Sequence, residues 1–210
     1  MKANGLFLFL FFCILNTSAQ KMSDVFVQMP DSLLQLLNKE KKIELIGYFE
    51  NEKETKIENK LYRTSELKAL TSDYLFLQTT TQSFIEIKLL PVNEYYRIIC
   101  LINTYCASGC DSKISFYTTD WKPLKNNYFP IISPTIFFRD DEAGECRKLG
   151  KELDIFPVKF SFNQDSLQIK AILSIKDYLN KAEYEKIALC IQDSIVFDWI
   201  DGKYQHTVNK

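Results

Sequence analysis

Histidine is almost missing from this chain: His206, four residues from the end of a 210-residue sequence, is the only one. Ser-His-Asp or Cys-His catalysis would have to rest on that single ring in a segment prone to fraying. A zinc centre needs three or four ligands, and neither histidine nor CxxC pairs supply them. Glycine is also scarce, at six residues. No Gly-rich phosphate loop or dinucleotide fingerprint is present. Neither sign of charge dominates, with 26 Lys and Arg against 27 Asp and Glu. That balance argues against nucleic acid as a partner and against an electrostatic grip on anionic membrane. Long apolar runs are absent except one, Leu6 to Leu15. A membrane-spanning helix requires roughly 20 apolar residues, so this run is too short and no transmembrane span is expected.

That apolar run has another reading. Lys2 precedes it, and Thr17-Ser18-Ala19 follows it with the small side chains a signal peptidase requires. Residues 1–19 are therefore read as a secretory signal cleaved near Ala19, placing the protein in the periplasm or outside the cell. A lipid anchor at Cys13 is the weaker alternative, because Phe11 and Phe12 stand where such a site needs small residues. Without Lys2 the remaining chain carries 25 basic and 27 acidic residues, a balance of −2. Its length suits one domain or two small lobes.

Aromatic residues are abundant at 14%. Aromatic-rich, glycine-poor chains favour sheets with large cores. Val25 to Met29 reads as a short strand or extended lead-in. Leu33, Leu34, Leu36 and Leu37 form the apolar face of a helix capped by Asp31 or Ser32. Ile43, Leu45, Ile46, Tyr48 and Phe49 continue at helical spacing after a polar break. The period then changes to two. Strands are expected around 57–61, 74–79, 84–90, 96–105 and 112–119, a meander of four or five antiparallel strands with the helix pair over one face. After a proline-broken passage and a short helix within 140–149, a hairpin forms from Val158–Phe162 and Leu167–Leu173. A helix capped by Asn180 and a last strand, Ile195–Ile200, with an Asp201-Gly202 turn complete the reading.

The expected organisation is thus a signal at 1–19, a helix pair plus meander at 20–124, and a hairpin, helix and strand at 125–210, the halves packed as one unit. The fold class is α+β, a mainly antiparallel sheet with short helices on one face. Asp111-Ser112-Lys113-Ile114-Ser115-Phe116 before Trp121 echoes Asp193-Ser194-Ile195-Val196-Phe197 before Trp199, which raises the alternative of two related lobes.

Five cysteines remain once Cys13 is removed with the signal. Cys106 and Cys110 flank Ala107-Ser108-Gly109 and are expected to form a disulfide, with Gly109 letting the chain bend. So small a loop contributes about 2 kcal/mol. Cys100 reads as a buried hydrophobe. Cys146 and Cys190 either pair or stay free, with equal weight. A redox catalyst would need the two-residue cysteine spacing that is missing here.

The acidic run Asp140-Asp141-Glu142 with Glu145 reads as a solvated helix start, since it lacks the alternating calcium-loop pattern. Ser65-Glu66-Leu67-Lys68 fits S-x-x-K by chance, without its partner motifs. Paired carboxylates depend on a three-dimensional separation, so a carboxylate-dependent hydrolase stays open as an alternative. The remaining candidates are aromatic. Tyr105, Tyr117 and Trp121, with Tyr95 and Tyr96 beside them, could line a binding surface, and core packing is the competing reading. On the strand at 112–119, Ile114 and Phe116 share one face, and Ser115 and Tyr117 the wetter-looking other.

Three blocks, VFVQMPDSLLQLL, ICLINTYCASGCDSKISFYTTDWKPL and DSIVFDWIDGKY, together resemble an uncharacterised family of exported proteins, a domain of unknown function found in Bacteroidales. The resemblance implies a Gram-negative periplasmic or outer-surface location and brings no catalytic residue, cofactor or substrate. The expectation is a non-enzymatic binding or envelope-associated module without cofactor or metal, its partner an envelope protein or a glycan. An inhibitor-like interaction domain is a further alternative.

Overall fold

The computed structural model describes residues 20–125 and 127–207, so the signal reading of 1–19 lies outside the described residues. Two helices come first, α1 (Met22–Gln28) and α2 (Lys39–Glu50). Six strands follow: β1 (Lys56–Glu58), β2 (Thr64–Leu70), β3 (Tyr74–Thr80), β4 (Ser83–Pro91), β5 (Arg97–Cys106) and β6 (Cys110–Thr118). They form one antiparallel sheet in sequence order. A long connection carries a short 3-10 turn (Pro134–Phe137) and α3 (Glu145–Lys151). The chain ends in β7 (Val158–Phe162), β8 (Ile169–Leu173), α4 (Lys181–Ala188), β9 (Ile195–Ile200) and β10 (Lys203–His206), whose strands make a second antiparallel sheet in the order β10-β9-β8-β7. The fold is α+β. Among the described residues no helix is long and apolar enough to cross a membrane.

Three layers result, because the large sheet is buried on both faces. On β5, Ile99 and Leu101 join a cluster with Val25, Phe26, Leu45 and Ile46 from the helices. The alternate residues Ile98, Cys100 and Ile102 join a second cluster with Phe160, Ile169 and Phe197 from the small sheet. A strand covered on both sides reads as a continuous apolar run, which is why the β5 sequence shows no alternation.

The N-terminal helices differ from the sequence expectation. Met22, Val25, Phe26 and Met29 recur at helical spacing and are buried, so the segment read as extended is α1. The leucines at 33–37 lie in turns after Pro30, where Leu34 and Leu37 still reach the core. Asp31 does not cap a helix there. It accepts from the buried Lys42, whose Nζ also donates to the Met29 carbonyl at the end of α1. The helix cap is instead Asn38, which accepts from the Lys41 amide at 3.1 Å and starts α2.

The meander has six strands, one more than read from sequence. A bulge between Leu67 and Ala69 breaks the alternation of β2 and hid it. Ser65 of the S-x-x-K match sits buried inside that strand and donates to the Thr79 carbonyl at 2.8 Å. In the connection, α3 starts later than expected. Gly144 holds a left-handed φ of 70°, and Asp141 accepts from the Glu145 and Cys146 amides. The capping box of Asn180 and Glu183 opens α4 as the spacing implies. At the last hairpin both Asp201 (φ 51°) and Gly202 (φ 74°) are left-handed, the conformation that the two-residue Asp-Gly turn requires.

Candidate functional site

Alternation along β4 decides what the interface between the sheets is made of. Ile85, Ile87 and Leu89 face the helices, so Phe84, Glu86 and Lys88 face the other way, toward the small sheet. Register places Phe76 opposite Glu86 and Tyr74 opposite Lys88 on that same side. The sequence alone would leave two charged residues on a solvated face. The second sheet covers them instead: Glu86 is 7% exposed and Lys88 2%.

Burial of these charges is matched by specific partners. Lys88 Nζ donates to the Gln164 carbonyl at 2.9 Å, pairs with Asp73 at 3.2 Å and lies 5.4 Å from the centre of the Tyr74 ring. Glu86 Oε2 accepts from the Tyr74 hydroxyl at 2.9 Å and from the Phe162 amide at 3.0 Å. That second bond belongs to a series. β7 is the edge of the small sheet, and its outward amides need acceptors. Val158 donates to Asp111 Oδ1 at 3.1 Å, Phe160 to Ser112 Oγ at 3.0 Å and Phe162 to Glu86. Side chains of the first sheet thus complete the second.

Next to this series lies a pocket of about 280 Å³. Glu86 lies at its base, Phe76 and Phe84 are half-buried walls with ring centres 6.0 Å apart, and Lys159 and Ser161 of β7 form the rim. Tyr74 and Phe162 close the inner side in an edge-to-face pair at 6.2 Å. Both Glu86 hydrogen bonds end on Oε2, so Oε1 remains an acceptor without a partner among the described residues. Burial pushes the Glu86 carboxyl above its ordinary value, opposed by the Phe162 amide, the Tyr74 hydroxyl and Lys159. Burial, reinforced by the Glu86 charge, likewise raises the Tyr74 hydroxyl far above its usual range. The arrangement can therefore receive a hydrogen-bond donor against a fixed oxygen, beside two aromatic side chains.

The residues singled out by sequence do not form one surface. Trp121 is 6% exposed and belongs to the core under the helices. A left-handed φ of 64° turns its indole beneath α1, where Nε1 donates to the Val25 carbonyl at 2.9 Å. Tyr117 packs on it with ring centres 5.5 Å apart, so the face that looks wetter in sequence is the one the helices cover. Tyr105 is 66% exposed at the far end of β5, away from both. Trp199 differs from its apparent counterpart Trp121, donating to the Pro91 carbonyl at 2.7 Å from a half-buried position on β9 against the core between the sheets.

Cys106 and Cys110 are disulfide-bonded as register partners at the β5–β6 turn, and Cys146 and Cys190 form a second bridge. Cys100 is buried and free. Gly109 serves a different purpose from bending the chain. Its φ is not left-handed, but a Cβ there would come within 2.4 Å of the Ser174 carbonyl and 2.6 Å of the Tyr178 ring. The bridged tip is docked onto the small sheet, and the Cys110 amide donates to Ser174 Oγ at 2.8 Å.

A larger groove of about 520 Å³ runs past Arg139, Arg147, Gln192 and His206. Arg147 is already paired with Asp140 at 3.3 Å, and the acidic run of the same loop adjoins it. None of its polar lining residues is buried as Glu86 is. Among the described residues no three His, Cys, Asp or Glu side chains converge as metal ligands. Nothing in the sequence marked Glu86, since the signal is a charge at an alternating position whose cover lies more than 70 residues away.

Residues 14–204 match the family described as protein of unknown function (DUF3256). A solved structure, a domain of an uncharacterised protein from Porphyromonas gingivalis W83, superposes with a TM-score of 0.78 at 22% identity, over 91% of this chain and 100% of that one. At that identity the likeness is one of fold. No curated protein matches.

Proposed function

The chain belongs to the DUF3256 family, and on that premise we propose that it is an exported, non-enzymatic binding module whose ligand enters the pocket over Glu86. The observation that carries this reading is the unpartnered Oε1 of a carboxyl held in place by Tyr74 and Phe162. Oε1 has no protein partner among the described residues, so a ligand donor can reach it from the pocket without breaking a protein hydrogen bond. Export is supported by the signal-like pattern of residues 1–19 and by two disulfides, which persist in oxidising compartments. The non-enzymatic reading is supported by the lining. Glycosidase-type hydrolysis uses two carboxyl groups across the scissile bond, and this pocket presents Glu86 alone.

The partner class expected is an envelope glycan or a glycan-bearing envelope protein. Retention of the purified protein on immobilised envelope polysaccharide tests the reading. Wild type and Tyr105→Ala are expected to be retained, and Phe84→Ala to elute early. Equal retention of Phe84→Ala and wild type would remove the pocket from the account. Detection of the protein in the periplasmic or extracellular fraction, with Gln20 as its first residue, checks the export part.

A further inference from the structure

We infer that the Glu86 pocket takes one uncharged, hydroxyl-bearing ring, a single neutral monosaccharide unit. This rests on the binding reading above and names its ligand class.

Size sets the first limit. At about 280 Å³ the pocket stands at the lower end of small-molecule sites, enough for one ring and too little for a chain of them. Its walls set the second. Phe76 and Phe84 are tilted 38° to each other, half-buried, and both line the pocket, so aromatic carbon forms much of its surface. Aromatic faces carry partial negative charge and attract the C–H groups on the apolar side of a pyranose.

The polar groups set the third. Oε2 of Glu86 is occupied by Tyr74 and Phe162, so the carboxyl cannot swing away, and Oε1 stays available as an acceptor. Lys159 lies at the rim, near enough to Glu86 to act on its charge, and Ser161 adds a hydroxyl beside it. An ammonium ligand would meet the Lys159 charge, and an acidic one the Glu86 carboxylate. A hydroxyl meets neither objection, because it donates to Oε1 and accepts from Lys159 or Ser161 through the same kind of group. The pocket asks for both at once, beside an apolar face, and a sugar ring offers that combination.

Ligand-observed NMR and calorimetric titration on the disulfide-bonded chain test this. The probes are glucose, galactose, mannose and N-acetylglucosamine, with glucuronate and propylamine as charged controls. At least one neutral sugar is expected to bind with its ring C–H protons in closest contact. Binding should fall at least tenfold in Phe84→Ala and in Glu86→Gln. In Glu86→Gln the amide oxygen is held by Tyr74 and Phe162 and the NH₂ faces the pocket, so the acceptor becomes a donor while the fold is kept; circular dichroism and melting confirm the folded state. Preference for propylamine or glucuronate, lost in the same variants, would overturn the sugar assignment and leave the pocket as a binding site. Binding of no probe, together with polysaccharide retention that still depends on Phe84, would also overturn the single-ring assignment. Failure of both measurements would overturn the binding reading itself.

Discussion

At the scale of single residues, Glu86 and Trp121 show how much a side chain's meaning depends on what covers it. Glu86 has its carboxyl raised above the ordinary value of 4.5 by burial. Below that pH the group is protonated whether the chain is folded or not, and its contribution is fully present. As pH climbs from there through the raised folded value, the unfolded chain ionises first while burial makes the native carboxyl keep its proton, and stability is lost. Glu86→Gln removes this titration. Urea melts from pH 4.5 to neutrality should therefore show wild type losing stability relative to the variant; parallel profiles would mean that Glu86 is not desolvated. Trp121 carries no such charge and acts through packing and its bond to the Val25 carbonyl. Trp121→Ala is expected to cost about 3–5 kcal/mol in denaturant melts, as for large buried aromatics elsewhere. A cost under about 1 kcal/mol, the level of a surface position, would contradict its place in the core.

At the scale of elements, the two disulfides make a comparison that chain entropy predicts. Cys106–Cys110 closes a separation of 4 residues and Cys146–Cys190 one of 44. The loop-closure relation assigns about 2 kcal/mol to the first and about 4 kcal/mol to the second. Replacing Cys146 and Cys190 by serine should therefore lower stability about twice as much as replacing Cys106 and Cys110. The measurement is a pair of denaturant melts on the double variants; the reverse order would show that docking of the β5–β6 tip on Ser174 outweighs chain entropy. The element-level surprise is β7. Its hydrophobic alternation, Val158, Phe160 and Phe162, was plain in sequence, but not that its outward amides would be satisfied by Asp111, Ser112 and Glu86. Those acceptors are 47 to 76 residues away, and no local pattern records them.

At the scale of the whole molecule, three layers bring two kinds of interface together: a mainly apolar one between helices and sheet, and a partly polar one between the sheets. Period-two alternation made β3, β4 and β7 legible, and the cap at Asn180 and the Asp201-Gly202 turn marked their elements through local backbone chemistry alone. Four-residue spacing made a short bridge between Cys106 and Cys110 readable for the same reason. These are features in which the interacting groups are neighbours in the chain. What the chain could not state locally was which of two amphipathic faces would be covered a second time. Tyr117 stands on the wetter-looking face of its strand yet packs on Trp121 in the cluster under the helices; Glu86 and Lys88, the charged alternate positions of β4, lie under the small sheet. That assignment follows from long-range packing, in which one apolar surface is removed from water by another made far along the chain. The candidate site was decided there, where the second sheet closes over a carboxyl and leaves one of its oxygens unpartnered.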